Sequence, residues 1–169
     1  MRIRTTATIL CLSSTSILLS ACSQRLTGSA MERQIEQETG GNADVDVDAD
    51  GSMQVKTEDG TYNAGNNQLP EDWPEDAPIY AGSTIQFSGS ANATTGQPGA
   101  AVVLSTADSA ADVMTFYKGE LKKQGWTVTS TMEAQGTTIM GATKGTRALS
   151  LMVGSTNGQT SITIGVGER

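Results

Sequence analysis

An Asn157-Gly158 pair in the C-terminal part of the chain separates two segments in which apolar and polar residues alternate. Asn-Gly between alternating segments is a strong signal for a two-residue β-hairpin loop, because both loop residues then need a positive φ. Such a loop fixes the pairing across the strands and places six aliphatic side chains on one face. The expected pairs are Val153 with Ile162, Leu151 with Ile164, and Leu149 with Val166. A face this apolar has to be covered, so the hairpin constrains the elements around it.

The rest of the C-terminal region also has the pattern of short strands separated by turns. Glycines at Gly136 and Gly145 mark the two turns before Asn157-Gly158, which predicts an antiparallel meander. Earlier in the chain, two strands are expected on either side of a loop of small and polar residues over 88–99. The predicted strands are residues 84–87, 101–104, 126–132, 137–143, 147–153 and 160–166.

Residues 110–124 have the pattern of an amphipathic helix. Ser109 and Asp112 have capping-box spacing at its start, and Gly125 follows the last turn, where a left-handed residue commonly ends a helix. The helix has one apolar face, which we expect to pack on the hairpin. The residues expected in this contact are Val113, Phe116, Tyr117 and Leu121 on the helix, and Leu149, Leu151, Ile162 and Ile164 on the strands.

A second, smaller pattern precedes this region. Residues 31–38 are helix formers, and after them valine alternates with aspartate between two Asp-Gly turns. A three-residue loop at the first turn, residues 49–51, opposes Val47 to Met53 and Val45 to Val55. A two-residue loop at the second turn, Asp59-Gly60, opposes Val55 to Ala64 and Thr57 to Tyr62.

These patterns together predict an α+β fold. Its main part is an antiparallel β-meander with one helix packed on one face, over residues 83–169. A proline-rich link, residues 67–82, joins it to a small helix plus β-hairpin appendage over 30–66.

The N-terminal residues have the three parts of a secretion signal. Arg2 and Arg4 supply the positive charge, a mostly apolar stretch continues to Leu19, and small residues precede Cys22. The apolar stretch is too short and too rich in Ser and Thr for a membrane span, which needs about 20 mainly apolar residues. Residues 1–21 are therefore a predicted signal peptide, and residues 22–29 a predicted tether.

The sequence Leu19-Ser20-Ala21-Cys22 resembles the lipobox of bacterial lipoproteins. The resemblance implies that the Cys22 thiol is diacylglycerylated, that the signal is cleaved before it, and that acyl chains such as palmitate attach the protein to a membrane. The expected location is the cell envelope, with the domain on the non-cytoplasmic side, and the inner and outer membranes both stay open. The alternative is an ordinary signal peptide with a cysteine near the cleavage point.

The side-chain inventory excludes several kinds of catalytic and metal site. The sequence has no histidine, and its two cysteines are Cys11, inside the predicted signal, and Cys22. Ser-His-Asp catalysis, Cys-His catalysis and zinc sites of cysteine or histidine are therefore excluded. The remaining carboxylate pairs flank prolines or begin a helix, where acids complement the helix dipole. We therefore expect neither an enzyme nor a bound cofactor.

The charge balance argues against anionic partners. The first 21 residues contain two arginines and no acid, so the remainder has nine Lys and Arg against 18 Asp and Glu, a formal charge of −9. A nucleic-acid-binding surface needs clustered basic residues, and the largest cluster is Lys122-Lys123. We therefore expect no nucleic-acid partner.

The segment from Asp46 to Gly51 reproduces the D-x-D-x-D-G opening of an EF-hand loop and makes Asp46, Asp48 and Asp50 candidate calcium ligands. Position twelve of that loop is Thr57, and Glu58 comes one residue late for the closing ligand. Valines between aspartates also suit an amphipathic strand whose acids face water. The strand interpretation is favoured, and no metal is expected to bind tightly.

Residues 69–169 resemble a recurrent domain of uncharacterised bacterial lipoproteins. The similarity lies in the proline-spaced opening LPEDWPEDAPIY at residues 69–80, and in Phe116-Tyr117 followed by Gly125-Trp126. It implies an exported α+β domain of unknown role. The resulting hypothesis is a lipid-anchored envelope protein with a non-enzymatic protein-binding or scaffolding role, and thus an envelope protein as partner. One alternative is a solute-binding or sensory module in which the 88–99 loop closes over a ligand, and another is a calcium-binding N-terminal module.

Overall fold

The structure, a computed structural model, describes residues 33, 37, 43–91 and 99–169. These residues form nine strands and a fourteen-residue helix, α1. The elements in chain order are β1 Ala43–Val47, β2 Met53–Thr57, β3 Gly60–Ala64, β4 Thr84–Ala91, β5 Gly99–Thr106, α1 Ala110–Lys123, β6 Thr127–Ala134, β7 Thr137–Lys144, β8 Arg147–Thr156 and β9 Gln159–Glu168.

All nine strands belong to one antiparallel sheet in the order β1-β2-β3-β4-β5-β9-β8-β7-β6. The predicted fold class, a meander domain preceded by a separate appendage, is therefore wrong. β3 pairs with β4 along its whole length, with Asn63 opposite Ser88, and β5 pairs with β9, with Val102 opposite Ile164. These pairings join strands that are distant in sequence, and no short turn between them indicates the pairing. Because β3 pairs with β4, the first three strands extend the sheet and do not form a separate unit.

The core lies between α1 and one face of the sheet. Ser109 caps the helix, its hydroxyl accepting from the Asp112 amide at 3.2 Å, and Gly125 has a φ of +82° just after its last turn. The predicted contact residues on both sides belong to a single buried cluster, with Phe116 partly buried at its edge. Met114, which is not among the predicted contact residues, also lies in this cluster. The space between helix and sheet is thus filled by side chains.

The link between β3 and β4 is fixed to one end of this core through Asp76. Its carboxylate accepts two hydrogen bonds from the Arg147 guanidinium, at 2.9 and 2.6 Å, and contacts the Lys144 ammonium at 2.6 Å. The Trp126 indole N–H donates to the Asp76 carbonyl at 2.7 Å. The link therefore crosses the same sheet face on which α1 packs.

The predicted registers were correct at two of three hairpins. The β8–β9 pairing follows the Asn157-Gly158 loop as expected, and β1–β2 opposes Val47 to Met53. The β2–β3 turn differs from the prediction. Its two loop residues are Glu58 and Asp59, so Thr57 lies opposite Gly60. Val55 therefore faces Tyr62 and not Ala64.

Several N-terminal predictions fall outside the described residues. They concern the signal peptide at 1–21, Cys22 and the tether at 22–29. The predicted helix at 31–38 is described only at Arg33 and Gln37, which are helical and exposed. Within the described part of the chain, no helix has the length and apolar character that a membrane span requires.

Candidate functional site

The two faces of the sheet differ in chemistry, and each carries a candidate site. We call the face that packs on α1 the helix face and the opposite one the open face. Residues directly opposite each other on paired strands share a face, so the register assigns every strand position. The charged residues of the nine strands all lie on the helix face; they are Asp44, Asp46, Lys56, Glu133, Lys144, Arg147 and Glu168.

A polar cavity of about 560 Å³ opens on the helix face, beyond the end of the apolar core. Strands β2 to β4 form its floor, and the first part of the link forms its wall. Its volume lies within the range of roughly 300–1,000 Å³ that is usual for ligand pockets. The lining residues are Gln54, Lys56, Thr61, Asn63 and Ser90 on the strands, and Gln68, Leu69, Pro70, Glu71 and Asp72 on the link.

A chain of side-chain hydrogen bonds holds the floor of this cavity. The Gln54 amide donates to Asn63 Oδ1 at 2.8 Å, and the Asn63 amide donates to the Ser88 hydroxyl at 3.3 Å. Asn63 and Ser88 are both buried, and the register places all three side chains in one row across the strands. A buried polar row of this kind is kept in place by its own hydrogen bonds, so the floor is pre-organised.

Three charged side chains line the cavity without a partner. Lys56, Glu71 and Asp72 make no hydrogen bond or ion pair through their side chains with another described residue. Asp76, four residues further along the link, is by contrast bound by two cations. The cavity thus presents an ammonium group and two carboxylates whose interactions remain available to a solute.

The candidate calcium ligands lie at the far edge of the sheet. Asp46 projects from β1, exposed and on the opposite face from buried Val45. Asp48 and Asp50 are in the turn, where both accept from the Ser52 hydroxyl, at 3.1 and 2.8 Å. Hydrogen bonds from the Ser52 amide and hydroxyl lower the pKa of Asp50. No group of three acids close enough to hold a metal occurs among the described residues, and the weak calcium affinity stays a prediction.

Three of the acids that flank prolines or begin the helix, Asp76, Asp108 and Asp112, have structural contacts. The hydrogen bonds from Arg147 lower the pKa of Asp76 to about 2, with a further contribution from Lys144. Asp108 accepts from the Tyr80 hydroxyl at 2.8 Å, and Asp112, in the first turn of α1, accepts from the Ser109 hydroxyl at 2.6 Å. A carboxyl group with a pKa near 2 is a poor proton donor or acceptor at neutral pH.

The open face is uncharged across all nine strands. It contains small, hydroxyl and apolar side chains, and a shallow groove of about 280 Å³ runs over its middle. The Tyr62 ring covers Gly89 at one end of this groove, where a Cβ would come within 2.8 Å of the ring, and stacks against Phe87. An exposed surface of this composition is a candidate interaction site.

Five of the twelve residues in the 88–99 loop expected to close over a ligand are strand residues. β4 continues to Ala91 and β5 begins at Gly99, so Ser88 and its neighbours are paired residues of the sheet. The remaining residues, 92–98, lie outside the described part of the chain. Residues 88–91 and Gly99 therefore belong to the sheet and not to a closing loop, and closure over a ligand stays a prediction.

A family model described as START domain-like matches residues 85–161. The match begins in β4, includes α1 and ends in β9. The matched segment is less than half of the 169 residues. It covers much of the open-face groove but, of the polar cavity, only Ser90. No curated protein and no solved structure matches the chain.

Sequence reasoning did not find either site. The polar cavity depends on the long-range pairing of β3 with β4, which brings Asn63 next to Ser88. Its only local signal was the alternation that places Gln54 and Lys56 on the face opposite Val55. The uncharged face could have been noticed strand by strand, but its width follows from the order of strands in the sheet.

Proposed function

We propose that this protein is a lipid-anchored binding protein of the cell envelope, which holds a small polar solute in the cavity between β2–β4 and the link. The observation that carries this proposal is the set of unpartnered charges around a pre-organised floor of amide and hydroxyl groups. A ligand of opposite charge gains more binding free energy from an unpaired charged group in a cavity than from a charged group that already has a partner. The START domain-like match suggests a ligand-binding domain in general terms, but it includes only Ser90 of this cavity, so the chemistry of the cavity carries the proposal.

The cavity chemistry favours a zwitterionic solute. Glu71 and Asp72 attract an amine, Lys56 attracts a carboxylate, and Gln54 and Asn63 offer donors and acceptors between them. The cavity lacks an aromatic platform for stacking a sugar or base, since none of its lining residues is aromatic. A free amino acid or a short peptide with both termini charged matches this arrangement.

We further propose that binding occurs without catalysis. Glu71 and Asp72 are both exposed, whereas acid/base work by two carboxylates requires one shielded and one solvated group. Asp76, whose pKa is lowered to about 2, is engaged with Arg147 and Lys144. These contacts favour a binding role over an enzymatic one.

Titration calorimetry with three dipeptides tests the solute site. Dialanine carries both charges, N-acetyl-dialanine lacks the amine, and dialanine amide lacks the carboxylate. We expect saturable binding of dialanine and about tenfold weaker binding of each blocked form, since a hydrogen bond to a charged group is worth about 1.5–3 kcal/mol.

Variants assign the binding to the cavity. Lys56→Gln should weaken dialanine binding and abolish the discrimination against the amide, whereas Lys118→Gln removes an exposed lysine on α1 and should change nothing. Absence of saturable binding by any of the three dipeptides, or equal effects of the two variants, would refute the proposal.

The anchor is tested separately by metabolic labelling with an alkyne fatty acid. Label is expected on the wild-type protein and not on Cys22→Ser, which should also leave the membrane fraction. An unlabelled Cys22→Ser protein that still sediments with membranes would show that another part of the chain attaches it.

A second candidate role, protein binding or scaffolding, is favoured by the open face. Phe87, Met132 and Met152 are 39%, 59% and 44% exposed on it. Exposed apolar residues grouped on an uncharged surface mark protein interaction sites more often than scattered ones do.

A further inference from the structure

On the open face, a row of larger side chains lies beside a row of small ones, and both rows cross the same six strands. One row of larger side chains crosses six neighbouring strands at matching register; it consists of Phe87, Val103, Thr163, Met152, Ile139 and Met132. We call this row the ridge. The next row, two residues along each strand, contains only small residues: Gly89, which the Tyr62 ring covers, and then Ala101, Gly165, Ser150, Gly141 and Ser130. This second row, the furrow, lies roughly 6.8 Å from the ridge, the advance of two residues in a strand.

A ridge beside a parallel furrow is complementary to a second copy of itself. When two such faces meet about a two-fold axis that runs between the two rows, the ridge of each copy lies over the furrow of the other. The strands of the two sheets then run nearly parallel or antiparallel, which is the aligned packing of β-sandwiches, with sheets about 10 Å apart. The contact is isologous, as most homodimer contacts are.

The size of the face is sufficient for such a contact. The six strands β4, β5, β9, β8, β7 and β6 are each eight to ten residues long. Their combined face measures roughly 29 Å by 27 Å, about 800 Å², from the spacing between strands and the rise along them. A stable protein interface buries about 800 Å² on each partner.

The distribution of charge also suits a second copy. The mature chain is strongly acidic, but none of the charged residues on the nine described strands lies on the open face, so pairing these strands face to face desolvates none of those charges. The acidic residues repel one another only over longer distances, where salt screens them. The two-copy contact should therefore become tighter as the ionic strength rises.

We infer that the occupant of the open face is a second copy of this chain, packed so that the ridge of each copy fills the furrow of the other. The inference rests on the protein-binding role proposed for this face and is independent of the solute cavity on the opposite face. In a lipid-anchored protein, the pair of copies would carry two anchors, and its helix faces would both point away from the contact.

Sedimentation equilibrium of the chain from residue 22 onward, with Cys22→Ser to remove the lipid, tests this inference. A dimer is expected at about 100 µM, with a dissociation constant that falls as salt is raised. Met152→Lys, which places a charge in the middle of the ridge, should raise that constant at least about tenfold.

An adjacent pair of residues on β6 provides the matched control. Met132→Lys alters the open face and Thr131→Lys the helix face, and both side chains are exposed in a single copy. Met132→Lys should weaken the dimer and Thr131→Lys should not, while thermal unfolding by circular dichroism verifies that all three variants fold. A wild-type protein that stays monomeric, or a dimer unaffected by both open-face variants, would overturn the inference. Dialanine binding measured on the same samples distinguishes that failure from failure of the solute site.

Discussion

At the scale of single residues, Asp76 connects parts of the chain that the sequence keeps far apart. Its carboxylate binds Lys144 and Arg147, and the Arg147 guanidinium lies 5.2 Å from the centre of the Trp126 ring. The Asp76 side chain is only 21% exposed. A partly buried carboxylate with two-point contact to arginine is the kind of ion pair that contributes measurably to stability.

The Asp76 contacts should make part of the stability depend on pH. Because its pKa is lowered from 3.8 to about 2, the stabilisation is fully present above pH 4 and is lost as the pH falls towards 2. We expect Asp76→Asn to lower the free energy of unfolding by about 1–3 kcal/mol at pH 6, and by much less at pH 2.5. Urea unfolding at the two pH values measures this.

The neighbouring acid is the control for that prediction. Glu75 is exposed and makes no ion pair with a described residue, so Glu75→Gln should change the free energy of unfolding little at either pH. A destabilisation by Asp76→Asn that is the same at both pH values would show that shape, and not charge, accounts for the effect.

Residue-level prediction from the sequence succeeded where a local pattern decided the outcome. The alternation of valine and aspartate correctly placed buried Val45 and exposed Asp46 on opposite faces of β1. It could not identify Lys56 as a cavity residue, because the cavity wall comes from Glu71 and Asp72 on a separate segment. Whether a charge is paired or free depends on such distant neighbours.

At the scale of elements, the β8–β9 hairpin and α1 form the most constrained part of the molecule. Their turn and caps are encoded locally, and the sequence predicted both elements and their register. Leu151 and Ile164 face each other across the hairpin and are fully buried under the helix. The pairings that the sequence did not predict, β3 with β4 and β5 with β9, are selected by the whole sheet and not by a turn.

Large-to-small substitutions should show how much of the stability lies in this contact. We expect Leu151→Ala or Ile164→Ala to lower the free energy of unfolding by about 2–5 kcal/mol, from lost apolar burial and the cavity left behind. Met152→Ala is the matched control, because Met152 neighbours Leu151 on the same strand but faces the open side. Equilibrium urea unfolding compares the three variants, and a loss below about 1 kcal/mol in both core variants would be incompatible with the packing described.

At the scale of the whole molecule, the continuous sheet joins strands that pack on the α1 core cluster to strands that contribute no residue to that cluster. α1 covers the part of the helix face formed by the central and C-terminal strands, and the cluster it forms there contains no residue of β1 to β3. A sheet of only three short strands is marginal in water by itself, so the first three strands depend on their junction with β4. The polar cavity lies at this junction, and its floor exists only while β3 and β4 are paired.

This dependence predicts a local effect of a single methyl group at Gly60. A Cβ at this position would come within 1.9 Å of the Ser90 carbonyl oxygen on β4, so Gly60→Ala should force β3 and β4 apart. Hydrogen exchange followed by mass spectrometry should then show faster exchange in β2 and β3, with β8 and β9 still protected beneath α1. Gly119→Ala makes the same chemical change at an open position on the helix and should leave β2 and β3 protected. If exchange in Gly60→Ala rose equally in all nine strands, the sheet would open as one cooperative unit, and the first three strands would not be the weaker part.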